Sequence, residues 1–270
     1  MPLIRFVAPG NFGDDLNDYL WDEIFPNLSS LTDFEISGIG TVLSPQDSQR
    51  KSIVLGSGIS HNANGNRPLT DFRWVRGPLT AEAFKLPKKL ALGDPAILWS
   101  GLKRISKPFG PVGFIPHCLT WTSYDWDGVA KSAGLMPINP YQSPQKVVQQ
   151  MATCSRILTE SLHGAIFADA MGIPWAPCIL AHRFNSFKWR DWMLTIGRPF
   201  DPMIVDTPLI NSISKWRAST NYLAKILKYG GRSGFPSLRP TKASKFEDCL
   251  IVSESLQKYT ENKENFFLVI

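Results

Sequence analysis

The sequence predicts an α/β fold: two Rossmann-like units with parallel sheets facing one cleft. Three observations carry this. Short apolar runs closed by glycines alternate with helical segments, the pattern of parallel strands joined by crossover helices. A Gly-, Pro-, Lys- and Ser-containing stretch, GLKRISKPFGP at 101–111, interrupts the alternation. The pattern then restarts with PVGFIPH at 111–117. The expected units are residues 1–105 and 106–270, a size that suits two small domains.

Taken in order, LIRFVA at 3–8 reads as a buried strand and GNFGDDLN at 10–17 as a turn. DDLNDYLWDEIF reads as a helix with acidic residues in its first turn, where the helix dipole favours them. SIVLGSG at 52–58 has the look of a parallel strand and its exit loop. FRWVRG at 72–77 is the next strand; by alternation Arg73 and Val75 share one face, and Trp74 and Arg76 the other. PLTAEAF then opens a helix, with Pro78 suited to its first turn. In the second unit PVGFIPH is a strand, and SPQKVVQQMATC at 143–154 is a helix capped by Ser143 with Pro144 at its first position. RILTES is a strand, HGAIFADAMG a helix closed by Gly172, and IPWAPCIL a strand. Residues 211–229 read as a further helix. EDCLIVSESLQKY at 247–259 reads as one that crosses back onto the first unit. A ligand belongs in the crevice at the carboxyl ends of the strands.

Composition narrows the classes. The N-terminus lacks a basic start followed by an apolar stretch, so it is not a signal peptide. No window approaches the ~18 apolar residues of a membrane span. Cys118, Cys154, Cys178 and Cys249 are widely spaced, with no C-x-x-C, so they suggest neither a disulfide scaffold nor a zinc site. The expectation is a cytoplasmic protein. Net charge is +6, concentrated in 214–246, which holds eight Lys/Arg and no Asp or Glu. That stretch is either a solvated helix face plus loop or a surface for anionic partners; an anionic leaflet attracts such segments at about 1 kcal/mol per charge. There is no RNP-like aromatic strand, zinc finger or clear helix-turn-helix, so no nucleic-acid partner is expected.

Four strand-to-helix junctions carry candidate site residues. At the first, Asn11 and Gly13 let the backbone approach a ligand, and either Asp14 or Asp15 serves as general base or Asp14 simply caps the helix. At the second, Gly56, Ser57 and Gly58 either offer amides to a ligand or simply end the strand. At the third, Arg76 either clamps a carboxylate or phosphate or forms a structural pair with Asp94. The fourth holds Glu160, Ser161, His163 and Gly164 at a helix N-terminus, a ready anion site. His163 there is either a satisfied core residue or a proton donor to an anionic substrate. His117, after the strand VGFIP, reads the same way with a weaker claim. Asp125-Trp126-Asp127 forms a D-x-D, but its aromatic neighbours mark it as a packed loop, and no metal is expected.

Together these residues become specific. GNFGDDLN (10–17), VLGSGI (54–59), VRGPLTAEAF (75–84), LGDPAIL (92–98), GFIPH (113–117) and ESLHGAIFADAMGIPW (160–175) resemble, in order, the polysaccharide pyruvyl transferase family. The resemblance covers roughly residues 3–180, and its most specific block is the last. It implies a fold similar to two-domain GT-B glycosyltransferases. It implies transfer of the pyruvyl group of phosphoenolpyruvate to a glycan or lipid-linked saccharide as a cyclic ketal, with release of phosphate and no cofactor. The first unit would then face the acceptor and the second the donor. On this reading His163 protonates the enol carbon, Asp14 or Asp15 takes a proton from the acceptor, and Arg76 holds the donor. The basic stretch would dock the protein peripherally at the inner membrane face. In much of the family an Arg stands two positions before the His. Here that residue is Ser161, so Arg156, Arg183 or Lys188 must supply the charge. The alternatives are a GT-B-type glycosyltransferase, with Glu160 binding ribose, and an inactive glycan-binding relative.

Overall fold

A computed structural model describes residues 3–4, 10–25, 34–43, 51–61, 65–180 and 184–204. The expected helices at 211–229 and 247–259 and the basic stretch 214–246 lie outside the described residues, as do positions 5–8 of the first expected strand.

Two parallel sheets form the frame. The first contains β1 (Leu3–Ile4), β2 (Glu35–Ser37), β3 (Ser52–Leu55) and β4 (Thr70–Trp74), hydrogen-bonded in that order. The second contains β5 (Val112–Ile115), β6 (Met136–Pro137), β7 (Arg156–Thr159), β8 (Trp175–Ile179) and β9 (Met203–Ile204), in the order β6-β5-β7-β8-β9. Every pairing between these strands is parallel. The run of four buried residues in β3 fits a strand covered on both faces.

The helices follow local signals. The acidic segment forms two short helices, α1 (Phe12–Asp15) and α2 (Asn17–Ile24), where one was expected. They separate at Leu16, and the buried Asn17 side chain pins the junction. Its Nδ2 donates to the Asp14 and Ile39 carbonyls at 2.9 and 3.0 Å, and its Oδ1 accepts from the Ile39 N–H and Trp21 Nε1. α3 (Pro78–Ala83) begins at a proline as expected, while α4 (Cys118–Trp121) and α5 (Trp126–Ser132) were not anticipated. In α6 (Pro144–Met151), Ser143 Oγ accepts the Lys146 N–H at 3.4 Å. α7 (Leu162–Met171) is almost wholly buried and apolar apart from His163 and Asp169, the mark of a central helix. It ends at Gly172, whose φ of 75° is the left-handed turn that glycine adopts without penalty.

β4 departs from simple alternation. Its register with β3 shifts by one residue, so that Trp74 rather than Arg73 stands opposite Leu55. Trp74, Val75 and Arg76 are then all buried, and Arg73 pairs with Asp71 at 2.6 Å. The last helix among the described residues, α8 (Ser186–Thr195), was not foreseen and ties the two sheets together. Its Trp189, Trp192 and Met193 enter a hydrophobic cluster that also holds Phe12 and Trp74 from the first sheet's side and Phe167 and Trp175 from the second. No helix among the described residues is long and apolar enough to cross a membrane.

Candidate active site

A cavity of about 300 Å³ opens between the sheets. Its lining comes from segments that follow the carboxyl ends of strands: Asn11 and Asp14 in the β1 crossover, Gly40 and Thr41 after β2, Ser60 after β3 and Arg76 after β4. Across from them are His117, Leu119 and Thr120 after β5, Glu160 to His163 after β7, and Phe184, Asn185 and Lys188 after β8. This is where a parallel α/β fold places a ligand.

Each expected residue has a definite place. Asp14 is buried, takes a hydrogen bond from Asn11 Nδ2, and lies against Gly40. Burial pushes its carboxyl up, while His163 and Lys188 pull it back down. Asp15 lies outside the cavity lining and accepts the Asn11 backbone N–H at 3.2 Å, so the capping role falls to Asp15 and the cavity position to Asp14.

His163 sits in the first turn of α7 at 7% exposure. Its Nε2 is enclosed, makes no hydrogen bond, and faces the Asp94 carboxylate at 3.6 Å. Asp94 is therefore the acidic neighbour of His163 rather than of Arg76. Gly13 does not line the cavity; it is the floor beneath the imidazole, where a Cβ would collide with the ring. Gly13→Ala is accordingly expected to tilt or push out His163 and lower turnover by about 100-fold, the scale of a 1 Å misplacement. Steady-state rates read against an unchanged far-UV spectrum check this.

Arg76 is 1% exposed. Its Nη1 donates to Thr41 Oγ1 at 2.7 Å and its Nη2 to the Ile59 carbonyl at 3.2 Å. Its carboxylate is Asp191, 3.6 Å from Nε. Asp191 in turn accepts the Leu79 and Thr80 N–H groups at 2.9 and 3.0 Å and the Thr80 hydroxyl at 2.6 Å. The residue that caps α3 thus also neutralises Arg76. Gly56, Ser57 and Gly58 stand behind this wall. Gly58 leaves room for the guanidinium, Ser57 Oγ donates to the Gly40 carbonyl at 3.1 Å, and Gly56 packs on Pro95 and Trp74 with φ of 86°.

Ser161 lines the cavity, but its Oγ accepts the Gly164 N–H at 3.4 Å and caps α7. Gly164 packs on Thr159 of β7, away from the cavity. Glu160 accepts the His117 N–H at 3.1 Å on one oxygen and the Leu180 N–H at 3.0 Å on the other, bracing the ends of neighbouring strands. Of the cations weighed against Ser161, Lys188 lines the cavity, Arg156 begins β7 at its opposite end, and Arg183 lies outside the described residues. In the D-x-D, Asp125 caps α5 and Asp127 pairs with Lys131 at 2.6 Å.

His117 caps α4 and is held near neutral charge. Burial first, then Lys188 and His163, lower its pKa to about 3. The unfolded chain takes up this proton near the ordinary value of about 6.5, so between there and about 3 the unfolded state binds more protons. Stability should therefore fall as pH drops through that window, by at most about 1.4 kcal/mol per pH unit from this group. Urea unfolding at a series of pH values should show a shallower acid slope in His117→Asn, which keeps a cap acceptor but cannot titrate.

Residues 34–43 supply Gly40 and Thr41, which sequence reading did not place at a site, and α8, which it did not foresee, supplies Lys188, one of the three cations it weighed. The signals available were the glycine pair in SGIG after a short strand and Asn185 ahead of α8, whose Oδ1 caps the helix.

The fold and cavity define an α/β protein with a cleft between two parallel sheets, lined by Arg76, Lys188, His163 and Asp14 among others. The chain belongs to the polysaccharide pyruvyl transferase family, which it matches over residues 41–180, more than half its length. It is 34% identical over 207 residues to the succinoglycan biosynthesis protein ExoV of Rhizobium meliloti (strain 1021), covering 72% of this chain and 64% of that protein. It is 26% identical over 189 residues to the uncharacterized protein L143 of Acanthamoeba polyphaga mimivirus, covering 63% and 64% respectively. The chain thus spans just under two thirds of the length of these relatives. No solved structure matches it.

Proposed function

We propose that the protein transfers the pyruvyl group of phosphoenolpyruvate to a sugar of an exopolysaccharide or cell-surface glycan, forming a cyclic ketal and releasing phosphate. The observation that carries this is the convergence of Arg76, Lys188, His163 and Asp14 on one cavity. Phosphoenolpyruvate brings a carboxylate and a phosphate. Arg76, Lys188 and the N-terminus of α7 answer those charges. His163 protonates the methylene carbon, leaving an electron-poor centre at the carbon that carries the phosphate. A sugar hydroxyl adds there and gives its proton to Asp14, whose raised pKa suits a base. A second hydroxyl of the same sugar displaces phosphate, which leaves with the remaining proton.

In this reading the two sheets correspond to the halves of a GT-B-like arrangement divided near residue 105, with the acceptor against the first. The basic stretch 214–246 docks the protein at an anionic membrane surface that carries a lipid-linked acceptor. The nucleotide-sugar alternative is weakened because both oxygens of Glu160, its candidate ribose ligand, already accept backbone N–H groups. The test incubates the protein with phosphoenolpyruvate and a lipid-linked or model saccharide and follows phosphate. Acceptor-dependent release supports the reading. Its absence, together with nucleotide release from a UDP- or GDP-sugar, overturns it.

A further inference from the structure

Both ring nitrogens of His117 are engaged. Nδ1 accepts the Leu119 N–H at 3.3 Å because His117 caps α4. A nitrogen that accepts carries no proton, so the neutral ring holds its single N–H on Nε2. Nε2 lies 3.3 Å from Lys188 Nζ. An ammonium would meet that N–H with more hydrogens, whereas a neutral amine offers the lone pair it needs. That contact is one that the amine form of Lys188 can make as a hydrogen bond and the ammonium cannot. Burial lowers the Lys188 pKa; Asp14 from α1 opposes this, Arg76 lowers it further, and Cys118 from α4 and Glu160 after β7 also oppose it, with a net lowering. The titratable side chains facing the His117 ring are Lys188 of α8, His163 of α7 and Cys118 of α4, whose Sγ lies 3.7 Å from Nδ1.

Among the described residues, Arg76 and Lys188 are the Arg and Lys side chains that line the cavity. Arg76 is already shared between Asp191, Thr41 and Ile59. Lys188 rises from α8 on the opposite wall, next to the capped N-terminus of α7, where Ser161 brings no charge.

We propose that Lys188 is a proton-switched oxyanion-binding residue: a phosphate or carboxylate oxygen of the donor replaces the His117 N–H at Nζ, and Lys188 takes one proton from bulk water to meet it. This rests on the phosphoenolpyruvate reading above. It makes donor binding proton-coupled and leaves His117 free to reorient its Nε2–H toward the same anion.

The test is isothermal titration calorimetry of the full chain with phosphoenolpyruvate in buffers of different ionisation enthalpy. Working at about pH 8 keeps the ligand's own phosphate, with a second pKa of about 6, largely ionised. The wild type should take up close to one proton per ligand. Lys188→Arg, always charged, should bind within about threefold and take up none. Lys188→Ala should weaken binding at least about tenfold. Heats that do not depend on buffer in the wild type, or proton uptake that survives Lys188→Arg, overturn the assignment. Inorganic phosphate is the second probe. If it binds with the same Lys188-dependent proton uptake while phosphoenolpyruvate does not bind, the donor reading fails and the Lys188 assignment stands. If neither ligand binds, both fail.

Discussion

His163→Ala should lower phosphoenolpyruvate-dependent turnover by roughly 10²- to 10⁴-fold, the usual contribution of a positioned general acid. The loss should appear in kcat, with little change in donor affinity, because the proposed anion contacts come from Arg76, Lys188 and the start of α7. The fold should survive. The ring borders the cavity, and helix α7 is anchored elsewhere by Ile166, Phe167 and Met171, all buried in the shared core. Asp94, left facing a vacated space, still caps the 3-10 turn at Pro95–Leu98 through the Ala96 N–H at 3.0 Å. The measurement is a kcat-against-KM split, with a thermal midpoint as the folding control. A variant that kept wild-type turnover would remove His163 from the chemistry and leave it as packing over Gly13.

Much of the scaffold was legible because its signals are local. β3, β5, β7 and β8 are compact apolar runs, and α6 and α7 carry their caps in Ser143, Pro144 and Gly172. β2, β6 and β9 escaped because two or three residues cannot show a period; parallel neighbours alone define them. α8 escaped for a different reason. Its buried positions include Asp191 and Thr195 alongside Trp189, Trp192 and Met193, so polar residues occupy places where an apolar stripe would be read. At the site, His163, Arg76 and Asp14 stood out because glycines flank them. The same glycine signal pointed to 56–58, where it reflects packing against Trp74, Pro95 and Arg76. A glycine that admits a ligand and one that admits a neighbouring side chain look alike in sequence. Lys188 could not be chosen over Arg156 until the direction of β7 and the position of α8 were known.

Asp191→Ala should cost about 3–5 kcal/mol of stability, the range for breaking a buried ion pair by removing one partner. The cause is cumulative. Asp191 is 0% exposed, and its loss strands Arg76, itself 1% exposed, without a countercharge. It also orphans the Leu79 and Thr80 amides at the start of α3, which have no intrahelical acceptor. Against a net stability of roughly 5–15 kcal/mol for a typical domain, that loss is a large fraction, and it falls on a contact that joins the two sheets. Urea unfolding should show a lower midpoint with an unchanged slope. The double variant Arg76→Met/Asp191→Leu separates the two roles of the pair. Replacing both charges by apolar groups of similar volume is often close to neutral, so part of the lost stability should return, short of full recovery because the α3 amides stay unpaired. Donor binding should be lost in the double variant, since among the described residues Arg76 is the cation that lines the cavity from the first sheet's wall. If Asp191→Ala cost less than about 1 kcal/mol, in the range of an exposed pair, Arg76 would have to find its countercharge elsewhere. If the double variant still bound phosphoenolpyruvate as well as wild type, the charge on this wall would serve the fold and not the ligand.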